Sequence, residues 1–203
     1  MKDPDNIKEV IGLNPQYLGF ILYRGSPRYV SLDTAGELVK NIPLPVQKVG
    51  VIVNEPLENA LQIAKSGIFD LLQLHGTESV DYCRKIGEYI RIIKSFPLFD
   101  TLPESLPEYG QFSDMFLFDT AGENYGGNGK MFDHKILNDY SVNMNYILSG
   151  GISPSDSTYI KSIVTDKMIG IDLNSRFEIR PGIKDVTLLK NFIEIIRKDD
   201  NTD

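Results

Sequence analysis

The stretch from Ser113 to Lys130, SDMFLFDTAGENYGGNGK, holds residue types that could form a site. A short apolar run, Met115 to Phe118, ends in the carboxylate of Asp119, and the loop beyond it contains Gly126, Gly127 and Gly129. A buried strand of this kind delivers an acid to its C-terminal end. Glycines beyond it let backbone N–H groups approach a ligand closely, because they lack a Cβ and tolerate positive φ. The same letters also fit a plain turn capped by Asp119. Two later stretches have a related form: LSGGISP at 148–154 and GIDLNSRFE at 170–178. Gly150 and Gly151 can present bare N–H groups, and Asn174-Ser175-Arg176 can open a short helix whose N-terminus favours an anion. The two loops together suggest a bound phosphate. The competing reading makes Gly150-Gly151 a tight turn and Ser153-Pro154 a helix start.

Other polar residues follow the ends of apolar runs: Arg24 to Arg28, Asn54, His75 and Lys94. His75 is open to two roles, a proton carrier, which imidazole suits near neutral pH, or a polar liner of the site. Arg28, after Pro27, fits either an anchor for an anionic group or a surface loop. Cys83 sits within a helical stretch, DYCRKIG, and reads as packing. His134 reads as a solvated helix residue. The two histidines are far apart in sequence and outside any metal-ligand spacing, so no metal site is expected.

The elements that must position these groups alternate along the chain. Helical patterns at Asp5–Leu13, Thr34–Lys40, Glu55–Lys65, Glu78–Ile86, Phe132–Asn138, Pro154–Ile163 and Val186–Arg197 intersperse seven apolar runs. Those runs are Tyr17–Tyr23, Lys48–Val53, Phe69–Leu74, Ile90–Phe96, Met115–Phe118, Tyr146–Leu148 and Met168–Leu173. Runs without regular polar alternation suggest strands covered on both faces, which means a parallel sheet under outer helices. A closed (β/α)8 barrel needs eight strands, so the count is one short, and it is short at the N-terminus. A doubly wound sheet would take seven, but no G-x-G-x-x-G follows the first strand.

With 203 residues the chain is expected to form one domain, residues 1–203, ending in a frayed tail at 198–203. The formal charge of −7 and the sequence pI of about 4.9 argue against nucleic acid as the main partner. A phosphorylated small molecule remains suitable if local N–H donors bind it. The single cysteine permits no internal disulfide and fits a reducing, cytoplasmic setting. No apolar run is long enough for a membrane span, and MKDPDNIKEV has no signal-peptide core.

Taken together, GFILYRGSPRYVS, QLHG, LFDT with GGNGKMFD, LSGGI, and GIDLNSRFE with PGIKD resemble the motifs of phosphoribosylanthranilate isomerase, in the same order and with similar spacing. The resemblance runs from about Asp3 to Ile196. It implies a (β/α)8 fold and an Amadori rearrangement in tryptophan biosynthesis that uses no cofactor and no metal. By position Asp119 matches the family's general acid, and Arg28 matches the arginine that holds the anthranilate carboxylate. His75 and Gly127 fall in substrate-binding segments. Gly150, Gly151, Asp172, Asn174 and Ser175 cover the phosphate loops, while Arg176 stands where many relatives have glycine.

The family's base is a cysteine at the end of the first strand, in a Lys-Ile/Val-Cys-Gly motif directly before the segment that here reads MKDPDNIKEV. The strand missing from the count and the cysteine missing from the motif set are thus one absence. The expectation is an N-terminally truncated chain, most simply from a misassigned start codon: a (β/α)8 barrel lacking its first strand. It would have an open seam between Tyr17–Tyr23 and Met168–Leu173, and turnover would be nearly lost. Its exposed strand edges would favour association. Two alternatives stay open: another phosphate-binding barrel isomerase, such as the histidine-pathway enzyme with paired aspartates and half-barrel symmetry, or a non-catalytic phosphosugar-binding protein.

Overall fold

The computed structural model describes residues 1–98, 101–119, 137 and 140–198. Gly126, Gly127, Gly129 and His134 lie outside the described residues, as do most of the helix expected at 132–138 and positions 199–203 of the expected tail. Seven strands form one parallel sheet: β1 (Tyr17–Ile21), β2 (Gln47–Ile52), β3 (Leu71–Leu74), β4 (Arg91–Pro97), β5 (Met115–Asp119), β6 (Tyr146–Ser149) and β7 (Met168–Ile171). Each pairs only with its neighbours in sequence, so the sheet order is the chain order. Among the described residues no strand pairs with the outer edges of β1 and β7, although the Met1 amino group donates to Gly19 O at 2.7 Å and Val30 N to Ile21 O at 2.9 Å along the outer edge of β1.

The helices are α1 (Pro4–Ile11), α2 (Leu32–Val39), α3 (Leu57–Lys65), α4 (Val80–Gly87), α5 (Leu106–Tyr109), α6 (Ser157–Ser162) and α7 (Val186–Arg197). Local chemistry starts several of them. Asp3, Ser31, Ser79 and Asp185 each accept a hydrogen bond from a first-turn backbone N–H of α1, α2, α4 and α7 respectively. These caps satisfy donors that have no partner inside the helix. The stretch expected as one helix at 154–163 is a 3-10 turn, Pro154–Asp156, followed by α6. A hairpin not foreseen in the sequence, β8 (Glu178–Arg180) and β9 (Ile183–Lys184), precedes α7. The Asn6 side chain ties it to α1, donating to Lys184 O at 2.9 Å and accepting from Lys184 N at 2.7 Å.

Side chains alternate across each strand, so the sheet serves two apolar layers. Val49, Leu71, Ile93, Met115, Leu117 and Ile147 pack together on the concave face. Leu72, Leu74, Ile92, Phe116, Phe118 and Leu148 point to the other face, into the layer under the helices. Aromatic edges run through that outer layer: Phe96 meets Phe116 at 5.2 Å in a T-shaped contact, and Phe118 meets Tyr140 at 5.5 Å. Burial on both sides is why the strands read as nearly unbroken apolar runs.

The alternation corrects one expectation. Lys94 follows the inward-facing Ile93, so its side chain enters the helix layer instead of ringing the site. There Nζ donates to Glu78 Oε2 at 3.0 Å and to the carbonyls of Leu74, Gly76 and Ser95 at 3.1, 2.7 and 3.0 Å. Glu78 in turn accepts from the backbone N–H of Asn54 and Gly76. This buried pair braces the turn that carries His75. Lys94→Met should strand the Glu78 carboxylate and destabilise the fold by about 3–5 kcal/mol in urea denaturation. The double variant Lys94→Met with Glu78→Gln should recover part of that loss, and a single-variant loss under about 1 kcal/mol would contradict the brace.

Candidate functional site

Parallel register gathers the polar strand ends on one side. Asp119 lies beside Ser149 across β5–β6, and Leu148 beside Ile171 across β6–β7, which brings Asp172 next to Ser149. The Ser149 hydroxyl donates to Asp172 Oδ2 at 3.2 Å. A cavity of about 810 Å³ opens at this end. Asp119, His75 and Arg28 line it, and so do Gly150, Gly151, Asp172, Asn174 and Ser175, so these eight border one space, whereas Asn54 and Lys94 do not. The cavity continues along Val49, Ile93 and Ile147 and out through the seam between α1 and α7, past Val10, Leu13 and Phe192.

Gly150 and Gly151 have φ of +93° and +63°. Nothing lies within 4 Å of a Cβ built on Gly151, so glycine is required there by backbone conformation and not by crowding. The next loop holds only a three-residue 3-10 turn, Ser175–Phe177, with Asn174 before it. Its dipole is that of a single turn, so a helix terminus offers little to an anion there.

Arg28 is held by a partner that the sequence reading missed. Its Nε lies 2.9 and 3.0 Å from the two Glu178 oxygens, and Nη2 lies 2.6 Å from Oε2. Glu178 also accepts from Gly182 N at 3.1 Å and from Lys184 Nζ at 3.3 Å, while Lys184 reaches Asn174 Oδ1 at 2.8 Å. Burial pushes the Glu178 carboxyl up, but the Arg28 hydrogen bond, Lys184 and the Gly182 N–H outweigh it and hold it below its usual range. Burial dominates at Lys184 and lowers its ammonium despite Glu178 and Asp172. Two cations share this one carboxylate at the cavity wall, an arrangement that suits an anionic ligand. Glu178 and Lys184 went unnoticed because β8 and β9 are too short and polar to show periodicity; the signals available were that Glu178 ends GIDLNSRFE and Lys184 falls in PGIKD.

His75 Nε2 lies 3.1 Å from Asp119 Oδ2, with both side chains partly exposed to the cavity. Asn54 does not reach this space as a ligand group. It takes a left-handed φ of +48°, and its Oδ1 accepts from Thr77 N at 2.7 Å, supporting the same turn as Glu78. Cys83 is buried on α4 in the outer layer, where burial pushes its thiol up to about 11. A thiol so placed neither faces the cavity nor ionises near neutrality. Among the described residues no His, Cys, Asp and Glu group is arranged to hold a metal ion, and no helix is long and apolar enough to cross a membrane.

A parallel sheet under outer helices whose strand-end carboxylate and glycine loops share one mouth belongs to the class of α/β barrel proteins. The family model for N-(5'-phosphoribosyl)anthranilate (PRA) isomerase matches residues 1–195, and the chain belongs to that family. The N-(5'-phosphoribosyl)anthranilate isomerase of Parabacteroides distasonis is 42% identical over 199 residues, covering 97% of this chain and 90% of the relative. The crystal structure of the Thermotoga maritima phosphoribosyl anthranilate isomerase superimposes with a TM-score of 0.86 at 31% identity, covering 97% and 95% of the two chains. A further structure, of a phosphoribosyl anthranilate isomerase in complex with reduced 1-(o-carboxyphenylamino)-1-deoxyribulose 5-phosphate, has a TM-score of 0.83 at 28% identity and covers 97% of this chain and 95% of its own.

The Arg28–Glu178 pair makes a pH-dependent contribution whose sign follows from the lowered carboxyl. Its stabilisation is present above the usual carboxylate range and is lost as pH falls through the lowered value. Glu178→Gln should therefore be less stable than the parent at about pH 7, with the gap in urea midpoint narrowing toward about pH 3. A gap that stays constant across that range would contradict the assignment.

Proposed function

We propose that the cavity binds N-(5'-phosphoribosyl)anthranilate and that the fold is built to convert it to 1-(2-carboxyphenylamino)-1-deoxyribulose 5-phosphate. The observation that supports this reading is one cavity bordered by Asp119, Arg28, Gly150, Gly151, Asp172, Asn174 and Ser175. In this reading Arg28, fixed by Glu178, takes the anthranilate carboxylate, and the two loops take the phosphate. Gly127, which follows β5 in the sequence, matches a substrate-binding position of the family. The reaction needs an acid at the furanose oxygen and a base for the sugar C2' proton on the opposite side. Asp119 is the acid. No cofactor takes part, and a reducing compartment such as the cytoplasm suits the buried free thiol.

The base is the family's cysteine, which ends a strand that would fill the seam between β1 and β7. The only cysteine of these 203 residues, Cys83, lies outside the cavity. The 203-residue polypeptide, assayed as such, is accordingly impaired and binds better than it turns over. The strand edges at the seam, that of β1 already partly taken by Met1 and Val30, also favour association between copies.

Turnover can be followed by loss of substrate fluorescence. A version preceded by an apolar strand ending in Cys-Gly should run about 10² to 10⁴ faster than the 203-residue polypeptide, and Asp119→Asn in that version should cost a similar factor. Equal and high rates with and without the added strand would refute the impairment. A rise in melting temperature with the reduced product analogue, without turnover in either form, would favour a phosphosugar-binding role instead.

A further inference from the structure

Two steps before the turn that carries His75, Gln73 occupies an inward position on β3 and is nearly buried at the cavity wall. Gln73 lies on β3 and His75 just past its end, and both side chains border the cavity. The Gln73 amide nitrogen lies 2.7 Å from His75 Nδ1, and the opposite ring nitrogen, Nε2, lies 3.1 Å from Asp119 Oδ2. An amide nitrogen donates and does not accept. The Nδ1 that faces it is therefore the unprotonated nitrogen, and the ring proton sits on Nε2, aimed at the carboxylate.

We propose that Gln73 is a positioning residue that locks His75 in the neutral Nε2–H tautomer, making the imidazole a fixed hydrogen-bond donor to Asp119 and not a carrier of protons to substrate. The mechanistic meaning rests on Asp119 being the acid of the proposed reaction. In ring opening, the Asp119 proton passes to the furanose oxygen as the C1'–O bond breaks, and the nitrogen lone pair forms the C=N bond. The carboxylate left behind then meets a donor already in place, with no proton leaving the histidine. With the amide reversed, its oxygen would draw the ring proton to Nδ1 and turn the Nε2 lone pair toward Asp119, an arrangement that suits only the protonated acid. The amide orientation thus sets whether the imidazole presents a donor or an acceptor to Asp119.

The chain has two histidines, so 15N-labelled protein gives two imidazole patterns in long-range proton–nitrogen correlation spectra, and His75→Gln assigns them by removing one. At neutral pH, His75 should show a pyridine-like Nδ1 that accepts a hydrogen bond and a pyrrole-like Nε2. Imidazoles in water lean the same way, so the decisive comparison is Gln73→Glu, which keeps the shape but offers only acceptors. That variant should make Nδ1 pyrrole-like, as the Nδ1–H tautomer or the imidazolium. Should the added carboxylate prevent folding, Gln73→Met removes the donor, and the Nδ1 resonance should move to that of a pyridine-like nitrogen without a hydrogen bond. A parent protein with its proton on Nδ1, or His75 signals unmoved by the substitution that folds, would overturn the proposal. Because these spectra need no turnover, failure of the tautomer assignment and failure of the isomerase reading are separately visible.

Discussion

The phase of the parallel ladder decides where chemistry can occur in this molecule. Pro97 lies opposite Asp119, and Asp119 lies opposite Ser149. Because side chains alternate with a period of two, a slip of one residue would turn Asp119 into the helix layer and Phe118 into the cavity. The register is held by apolar surface on both faces. Leu117 and Ile147 pack on the concave side, and Phe116, Phe118 and Leu148 beneath the helices. The hydrophobic pattern that folds the sheet therefore also aims the carboxylate.

Polar groups under the helices extend that control to the loops. The Lys94 ammonium and Glu78 carboxylate lie outside the cavity, yet they hold the backbone of Leu74, Gly76 and Asn54, and so the turn that presents His75. A hydrogen-bonded buried pair is a stiff support, since neither charge can move without losing its compensation. At the opposite wall Glu178 plays a comparable part for Arg28, and the Asn6 bonds to Lys184 fasten the hairpin that carries it. The two walls differ in kind. The His75 side depends on a pair that lies wholly outside the cavity, and the Arg28 side on a buried carboxylate whose cation borders it.

The seven strands were legible because doubly covered strands leave short apolar runs, and nearly all of these were recovered within two residues of their ends. Tyr17–Ile21 and Leu71–Leu74, for instance, lie inside the expected Tyr17–Tyr23 and Phe69–Leu74. Asp119 and the Gly150-Gly151 pair stood out because each ends such a run. Side-chain direction was less visible. Lys94 and His75 both follow apolar runs, but only the alternation within each strand separates the brace from the cavity wall. Glu178 and Lys184 were hidden because a three-residue and a two-residue strand have no period to detect. The bond between Glu178 and Arg28 spans 150 positions, which local pattern cannot encode.

A crystal structure of this chain soaked with reduced 1-(o-carboxyphenylamino)-1-deoxyribulose 5-phosphate would test most directly whether one mouth of the barrel holds both the acid and the anion loops as a single substrate site. The phosphate should rest against Gly150, Gly151 and Ser175, the benzoate carboxylate against Arg28, and the sugar carbons beside Asp119. A ligand bound with its phosphate away from those two loops, or with Asp119 out of reach of the sugar, would contradict that arrangement.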